Sequence, residues 1–257
     1  MASAARPSMT SGFLRWLVWV AAAALALQVF FLGRIAMMVV VDPQSTTFER
    51  SEAWRILTEK GTLRWRQNWV PYAQISDSLK RAVIASEDGD FVNHDGVEWE
   101  AIQKAWDKNA RAENQAAKRA PPPRPGKPAP PAKAPKIIGG STITQQLAKN
   151  LLLSGERTFL RKGQEFLLTL MLELLLPKQR ILEIYLNNVE WGEGVFGAEA
   201  AAQHYYRKPA AKLGAYEAAR LAVMLPRPKY FEKVPNSPYL SHRASIIVAR
   251  MGDAELP

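Results

Sequence analysis

A long apolar run lies near the N-terminus of the chain. Residues 16–33 contain one polar side chain, Gln28, and no charge, and apolar residues continue over 35–41 after Arg34. Folded as a helix at about 1.5 Å per residue, the first run is about 27 Å long, close to the thickness of a bilayer core. The pattern therefore predicts a transmembrane anchor over residues 16–41.

A cleavable signal peptide is the alternative to a retained anchor. Its apolar region would be shorter, and a small-x-small cleavage site would follow it. The residues after the run, Arg34-Ile35-Ala36-Met37, contain no such site. Arg6 and Arg15 precede the run without an acid, which favours a cytoplasmic tail at residues 1–15 and the rest of the chain outside.

Apolar positions recur at helical spacing over most of the remaining chain, and Pro177 and Pro226 separate neighbouring segments. The predicted helices cover residues 48–57, 75–86, 99–109, 142–153, 157–176, 178–187, 197–206, 214–225 and 237–251. No stretch alternates apolar and polar residues clearly enough to predict a strand. The expected fold class is mainly α, with one domain over residues 48–253 behind the anchor.

The composition changes abruptly over residues 115–136. This segment contains eight prolines, six lysines or arginines and no acid, so it is expected to be disordered or extended. It lies between two polar motifs, which makes it an insertion into one domain. Two interpretations stay open: a tolerated surface loop, or a basic flap that touches anionic lipid or glycan.

The net charge of +10 indicates an anionic partner, such as nucleic acid, lipid head groups or a phosphorylated substrate. The chain has no cysteine, which excludes disulfides and thiolate metal sites. A nucleic-acid partner is not expected, because the anchor would place the basic domain outside the cell and the sequence contains no recognition motif.

An acidic turn follows the predicted helix 75–86. It reads Glu87-Asp88-Gly89-Asp90-Phe91-Val92-Asn93-His94-Asp95-Gly96. The helix would hold the Glu87 carboxylate and the turn would expose it, which suits a general base. We expect Asp88 and Asp90 to raise the pKa of Glu87 by their charge. His94 is expected to be a structural hydrogen-bonding residue and not a catalyst.

A polar motif follows the proline-rich segment. It reads Gly139-Gly140-Ser141-Thr142-Ile143-Thr144-Gln145-Gln146-Leu147-Ala148-Lys149-Asn150. The glycines permit a tight turn, and Ser141 is predicted to cap the next helix, whose free N–H groups would attract an anion. Neutral donors and a lysine one turn further on fit the same role.

The third motif reads Arg161-Lys162-Gly163-Gln164-Glu165. On a helix, both cations lie beside Glu165, which indicates either a surface salt bridge or part of a charged site. A leucine-rich stretch follows at once, as either a core helix or one that enters the bilayer. Glu173 within that stretch needs a partner if it is buried.

Together these motifs resemble the peptidoglycan glycosyltransferases, glycosyltransferase family 51, and among them the monofunctional membrane-anchored kind. The pattern E-D-x-x-F-x-x-H-x-G at Glu87 and the twelve-residue string from Gly139 are specific to that family. Similarity extends over residues 65–251 except for the proline-rich insert. No sequence follows that could hold a transpeptidase domain, which indicates the monofunctional class. The resemblance implies a lysozyme-like helical domain.

The resemblance also implies the reaction. Such enzymes polymerise lipid II with the growing glycan strand as donor, form a β-1,4 bond with inversion and release undecaprenyl pyrophosphate. Glu87 would be the catalytic base, and Glu165 the second catalytic glutamate, which orients cations or helps to hold a divalent metal. The expected substrate-binding residues are Asp88, Ser141, Thr142, Gln145, Gln146, Lys149, Asn150, Arg161 and Lys162, with Arg157 as a further candidate cation.

No obligatory cofactor is expected, although Mg or Mn remains a candidate. The resemblance places the protein in the bacterial inner membrane as a single-pass protein with a periplasmic catalytic domain, and it suggests other cell-wall synthesis and division proteins as partners. Two rival hypotheses are a lytic muramidase that uses Glu87 as an acid, and a non-enzymatic scaffold that binds anionic wall polymer through the insert.

Overall fold

A computed structural model describes residues 9–100, 103, 107, 108, 110–112, 115, 140–153, 155–156 and 158–257. Apart from Gln115, the predicted insert at 115–136 lies outside these residues. The same is true of Arg157 and of most of the predicted helix 99–109.

The described part of the chain is mainly helical, as predicted. In chain order its α-helices are α1 (Met9–Met37), α2 (Thr47–Lys60), α3 (Asp77–Glu87), α4 (Ile143–Leu152), α5 (Phe159–Leu175), α6 (Lys178–Asn188), α7 (Ala198–Tyr206), α8 (Ala215–Met224), α9 (Pro228–Lys233) and α10 (Pro238–Arg250). Short 3₁₀ turns occur at Tyr72–Gln74, Phe91–Asn93 and Ala210–Lys212. The sequence did not predict α9, whose first residue, Pro228, has the fixed φ that suits a helix start.

The structure also contains a small sheet that the sequence did not predict. Its strands are β1 (Arg66–Gln67), β2 (Glu190–Gly192) and β3 (Val195–Phe196), in the order β1-β3-β2. β1 pairs with β3 in parallel, and β2 pairs with β3 antiparallel with an irregular register between Glu190 and Gly192. Strands of two or three residues are too short to show an alternating pattern, so the expectation of no strands was wrong.

Local hydrogen bonds determine where several helices begin. Thr46 caps α2 and forms a reciprocal capping box with Glu49, and Ser76 caps α3 through the N–H of Leu79. These side chains satisfy N–H groups that have no partner inside the helix. The starts of α2 and α3 are therefore encoded locally.

The core joins the helices that carry the polar motifs. α3 packs against α8, which packs against α10, while α4 packs against α5, α6 and α2. Leu79 and Val83 of α3, Leu147 of α4 and Leu168 of α5 belong to one buried cluster. As a result, the end of α3 and the start of α4 lie side by side, although they are far apart in sequence.

The first helix extends from the domain with most of its apolar surface exposed. Within the described residues, one helical segment, Gly12–Met37, is long and apolar enough to cross a membrane, with a mean hydropathy of 2.0. Its C-terminal end differs, because Phe31 and Ile35 are buried in the core of the domain. Gln28 exchanges hydrogen bonds of 2.9 and 3.0 Å with Gln164 of α5.

The leucine-rich helix α5 has two apolar faces. Leu168 and Leu172 are fully buried, which confirms its role as a core helix. The other face leaves Leu160 and Leu174 exposed at 86% and 79%. This exposed face belongs to the same helix that contacts α1.

Candidate active site

Glu87 is the last residue of α3, where the helix gives way to the acidic turn. Its carboxylate is half-buried, and Oε2 accepts a 3.1 Å hydrogen bond from Nε2 of Gln146. Burial raises the pKa of Glu87, hydrogen bonds from Gln146 and Ser86 lower it, and the charge of Asp88 adds a smaller upward effect. The main cause is therefore burial and not the neighbouring charges that the sequence suggested. Asp90 is exposed and hydrogen bonded to Asn93, so solvent screens its charge.

Tyr185 of α6 orients Gln146. The Tyr185 hydroxyl on α6 donates a 3.0 Å hydrogen bond to Gln146 Oε1, which leaves Nε2 directed at Glu87. Burial strongly raises the pKa of Tyr185, and the charges of Glu87 and Asp88 raise it further, so the phenol stays protonated and remains a donor. The only signal in the sequence was a tyrosine on the apolar face of a predicted helix, a pattern typical of ordinary core residues.

Asp88 joins the acidic turn to the start of α4. It is buried, and its Oδ2 accepts a 2.9 Å hydrogen bond from the N–H of Ile143. Its Oδ1 lies 2.8 Å from Nε2 of His94, while His94 Nδ1 accepts a hydrogen bond from the N–H of Gly96. His94 thus has the structural role predicted for it. The helix N-terminus predicted to receive a substrate anion already holds the Asp88 carboxylate.

Thr142, and not Ser141, caps α4. Its Oγ1 accepts from the N–H of Gln145 and donates a 2.6 Å hydrogen bond to the carbonyl of Gly96, while Gln145 Oε1 accepts from the N–H of Thr142. The prediction for Ser141 was wrong by one residue, because Thr142 and Gln145 have the spacing of a capping box. Ser141 is exposed and lines a small cavity of about 210 Å³ together with Glu87.

A cleft of about 530 Å³ is lined by Gln146, the hydrogen-bond partner of Glu87. Its polar lining comes from several parts of the chain: Gln146, Lys149 and Asn150 of α4, Arg161 of α5, Glu190 of β2, Thr47 and Ser51 of α2, and Glu156 between α4 and α5. The structure therefore brings the second and third sequence motifs together. A larger cavity of about 810 Å³ around Trp69 contains none of the predicted site residues.

Glu165 lies behind the cations instead of in the cleft lining. It is 3% exposed, and Arg161 Nη1 donates to its Oε2 at 2.9 Å while Lys162 pairs with Oε1. The salt bridges expected from the spacing are thus present, but with a buried carboxylate. Arg161 Nε is buried and has no hydrogen-bond partner among the described residues. Glu87 and Glu165 are linked only indirectly, because their partners Gln146 and Arg161 line one cleft.

Glu173 braces the site from α5. It accepts hydrogen bonds from the Thr144 hydroxyl of α4 and from Lys178, 2.9 Å away, which also donates to the carbonyl of His94. The partner that Glu173 was expected to need is therefore present twice. These bonds tie α5, α4 and the acidic turn into one unit.

One group of side chains has the composition of a metal site. Ligand atoms of Asp88, His94 and Glu98 lie within 4.8 Å of one another. Both oxygens of Asp88 and both ring nitrogens of His94 already take part in hydrogen bonds, so an ion would have to displace these contacts. A divalent cation, near Glu165 or elsewhere, stays a prediction.

Comparison with known proteins supports the resemblance seen in the motifs. Residues 55–118 and 132–252 match the sequence model of the Transglycosylase family. A biosynthetic peptidoglycan transglycosylase of Burkholderia thailandensis is 52% identical over 250 residues, covering 96% of this chain and 90% of that protein. Its counterpart from Paraburkholderia phytofirmans is 50% identical over 259 residues, covering 99% of each chain.

The family match covers more than half of the chain, and these relatives align with nearly all of it. The motif resemblance, the lysozyme-like helical fold that it implies and the prediction of an enzyme are thereby confirmed. The chain belongs to the biosynthetic peptidoglycan transglycosylase family, and it is a glycosyltransferase of cell-wall synthesis.

Proposed function

We propose that the enzyme polymerises lipid II into β-1,4-linked glycan strands by inverting transfer, releases undecaprenyl pyrophosphate and has no transpeptidase activity. The catalytic domain in this proposal is residues 48–253. The observation that carries the proposal is a half-buried carboxylate, Glu87, whose hydrogen-bond partner Gln146 lines the same cleft as Lys149 and Arg161. A base beside a cationic cleft suits attack by a sugar hydroxyl on a sugar diphosphate.

Glu87 is the general base of this mechanism. It takes the proton of the acceptor's 4-hydroxyl as that oxygen attacks the anomeric carbon of the donor. A raised pKa makes the carboxylate a stronger base than an exposed glutamate. The 3.1 Å hydrogen bond from Gln146 holds Oε2 in place, while Oε1, which accepts only a longer 3.4 Å hydrogen bond from the Ser86 hydroxyl, is the oxygen that meets the substrate.

The cations stabilise the departing diphosphate. Lys149 and Arg161 line the cleft, and Lys162 lies beside them through its contact with Glu165. Preorganised positive charge of this kind lowers the barrier because it meets charge that develops in the transition state. Glu165 positions Arg161 and Lys162. A diphosphate leaves readily, so the mechanism needs no strong general acid, unlike glycoside hydrolysis.

Asp88, Thr142 and Gln145 act as positioning residues in this proposal. Their polar atoms are engaged with α4, His94 and Gly96, so they hold the acidic turn against the start of α4. Ser141, which is exposed beside Glu87, and Asn150, which lines the cleft, remain available to the substrate.

Helix α1 anchors the enzyme in the inner membrane as a single span, with its N-terminus in the cytoplasm and the catalytic domain in the periplasm. Its exposed apolar surface favours a bilayer over water. Cleavage as a signal peptide would remove Phe31 and Ile35 from the core, which favours retention. In spheroplasts, added protease should reach the catalytic domain, and a domain protected until lysis would contradict this orientation.

Glu87→Gln tests the base directly with purified full-length enzyme and lipid II. We expect polymer formation to fall by about a hundredfold or more, because general-base catalysis contributes at least that factor. Asp90→Asn is the matched control, since Asp90 is an exposed acid in the same turn. Polymerisation by Glu87→Gln at a near-wild-type rate would remove Glu87 as base. Release of soluble glycan from sacculi, without polymer from lipid II, would instead support the muramidase hypothesis.

A further inference from the structure

Glu190 is a buried acid in the cleft that the mechanism above does not use. It is the first residue of β2, is 7% exposed and lines the cleft together with Gln146 and Arg161. The register of β2 against β3 is irregular at this point. Such irregularities re-aim side chains and are frequent beside active sites.

The hydrogen bonding of Glu190 is incomplete. Its Oε1 is buried and has no hydrogen-bond donor among the described residues. Lys229 of α9 lies 3.3 Å from this oxygen, at an ion-pair distance, and the same lysine is paired more closely with Glu52 of α2. Two acids therefore share one cation, and Glu190 is the less well satisfied of the two. A buried polar atom without a partner costs free energy unless a ligand satisfies it.

The charges around Glu190 differ from those at the cationic part of the cleft. The groups that face it are Lys229 of α9, Glu52 and Arg55 of α2, and Tyr205 of α7. Burial raises the pKa of Glu190 to about 7, with the positive charge of Lys229 opposing this and the negative charge of Glu52 adding to it. A protonated carboxyl can stand in a cleft that receives a diphosphate, whereas a carboxylate would repel that anion.

We propose that Glu190 is a substrate-binding residue that hydrogen bonds to an uncharged polar group of the sugar, a hydroxyl or an acetamido N–H. The ligand is the saccharide and not the diphosphate, because the ionised form of Glu190 would repel an anion. Glu190 comes from β2, whereas Lys149 and Arg161 come from α4 and α5, so the two kinds of group approach the cleft from different elements. The inference rests on the proposed lipid II substrate.

The test measures KM and kcat for lipid II with full-length Glu190→Ala, Glu190→Gln and wild-type enzyme at about pH 6 and about pH 8.5. Glu190→Ala should raise KM about five- to tenfold, the worth of one hydrogen bond, while kcat changes less than about threefold. In the wild type, KM should rise with pH as Glu190 ionises and repels the diphosphate. Glu190→Gln cannot ionise, so its KM should stay nearly constant.

Glu193→Gln is the matched control, because Glu193 pairs with Arg55 and Lys60 in the same charge network but does not line the cleft. Its KM should equal that of the wild type. An unchanged KM in Glu190→Ala, or a wild-type pH dependence of KM in Glu190→Gln, would overturn the inference and leave the proposed function standing. If Glu190→Ala does not fold, the dependence of KM on pH in the isosteric Glu190→Gln variant tests the inference by itself. A wild-type enzyme inactive on lipid II would instead refute the proposed function itself.

Discussion

Gln146→Met removes the hydrogen bond that holds the proposed base while keeping the length of the side chain. In the native protein Gln146 Nε2 donates to Glu87 Oε2 at 3.1 Å, and this bond lowers the pKa of Glu87 against the raising effect of burial. Without it the proton binds Glu87 more tightly. The acid limb of the dependence of kcat/KM on pH should then move to higher pH.

The expected fall in kcat/KM follows from the strength of the lost hydrogen bond, whose acceptor, the Glu87 carboxylate, is charged. A hydrogen bond to a charged group is worth about 1.5–3 kcal/mol, and Glu87 is only half-buried, so we take the lower end. About 1.4 kcal/mol corresponds to a factor of ten, so kcat/KM on the acid limb should fall about tenfold relative to the wild type. On the alkaline plateau, where Glu87 is ionised in both proteins, the loss should be smaller.

The assay is the initial rate of lipid II polymerisation at low substrate concentration, from about pH 5 to about pH 9. Ionisation of the substrate affects both proteins equally, so it cancels in the ratio of variant to wild type. Tyr185→Phe is the companion variant: it keeps the amide but removes the donor that orients it, so it should cause a smaller shift of the same sign. A ratio that is constant over the whole pH range would refute the reasoning.

Two further predictions concern stability. Gly96→Ala should lower the free energy of unfolding by about 1–3 kcal/mol in urea titrations, because φ is +80° and the new Cβ would lie 2.7 Å from Thr169 Cγ2, whereas Gly89→Ala, with nothing within 4 Å, should change it little. Burial lowers the pKa of His94, but hydrogen bonding and charge from Asp88 outweigh this and raise it. The stabilisation linked to that proton should be complete below about pH 6.5 and be lost as pH rises through the folded pKa of His94. In His94→Gln the fall in unfolding free energy over this range should be smaller than in the wild type, and an equal fall would contradict the prediction.

Much of the helical architecture could be predicted from local sequence. The apolar run of α1, the capping residues of α2 and α3 and the prolines between segments all act within a few residues of the chain. Apart from the helix predicted over residues 99–109, most of which lies outside the described residues, the predicted helices consequently lie within a few residues of those observed. The motif at Glu87 and the polar string from Gly139 were sufficient to indicate the family, which the relatives confirm.

Other features depend on contacts between distant parts of the chain. β1 has only two residues, and its partner β3 lies more than a hundred residues later. The sequence analysis assigned no role to Tyr185 or Glu190, because a tyrosine on a helix and an acid near a turn are common. Each acquires its role from a neighbour brought to it by packing, Gln146 in the first case and the cleft in the second.

The sequence by itself determined most of the helices, the candidate anchor, the family and most of the polar residues from which the site is built. Only the tertiary structure decided what each of them does. Asp88 accepts a hydrogen bond from the start of α4, Glu165 lies behind Arg161, and burial governs the pKa of Glu87. The physical reason is the distance along the chain over which each interaction acts. Helical periodicity and capping act over a few residues, whereas burial and hydrogen-bond partnership depend on which segments meet in space.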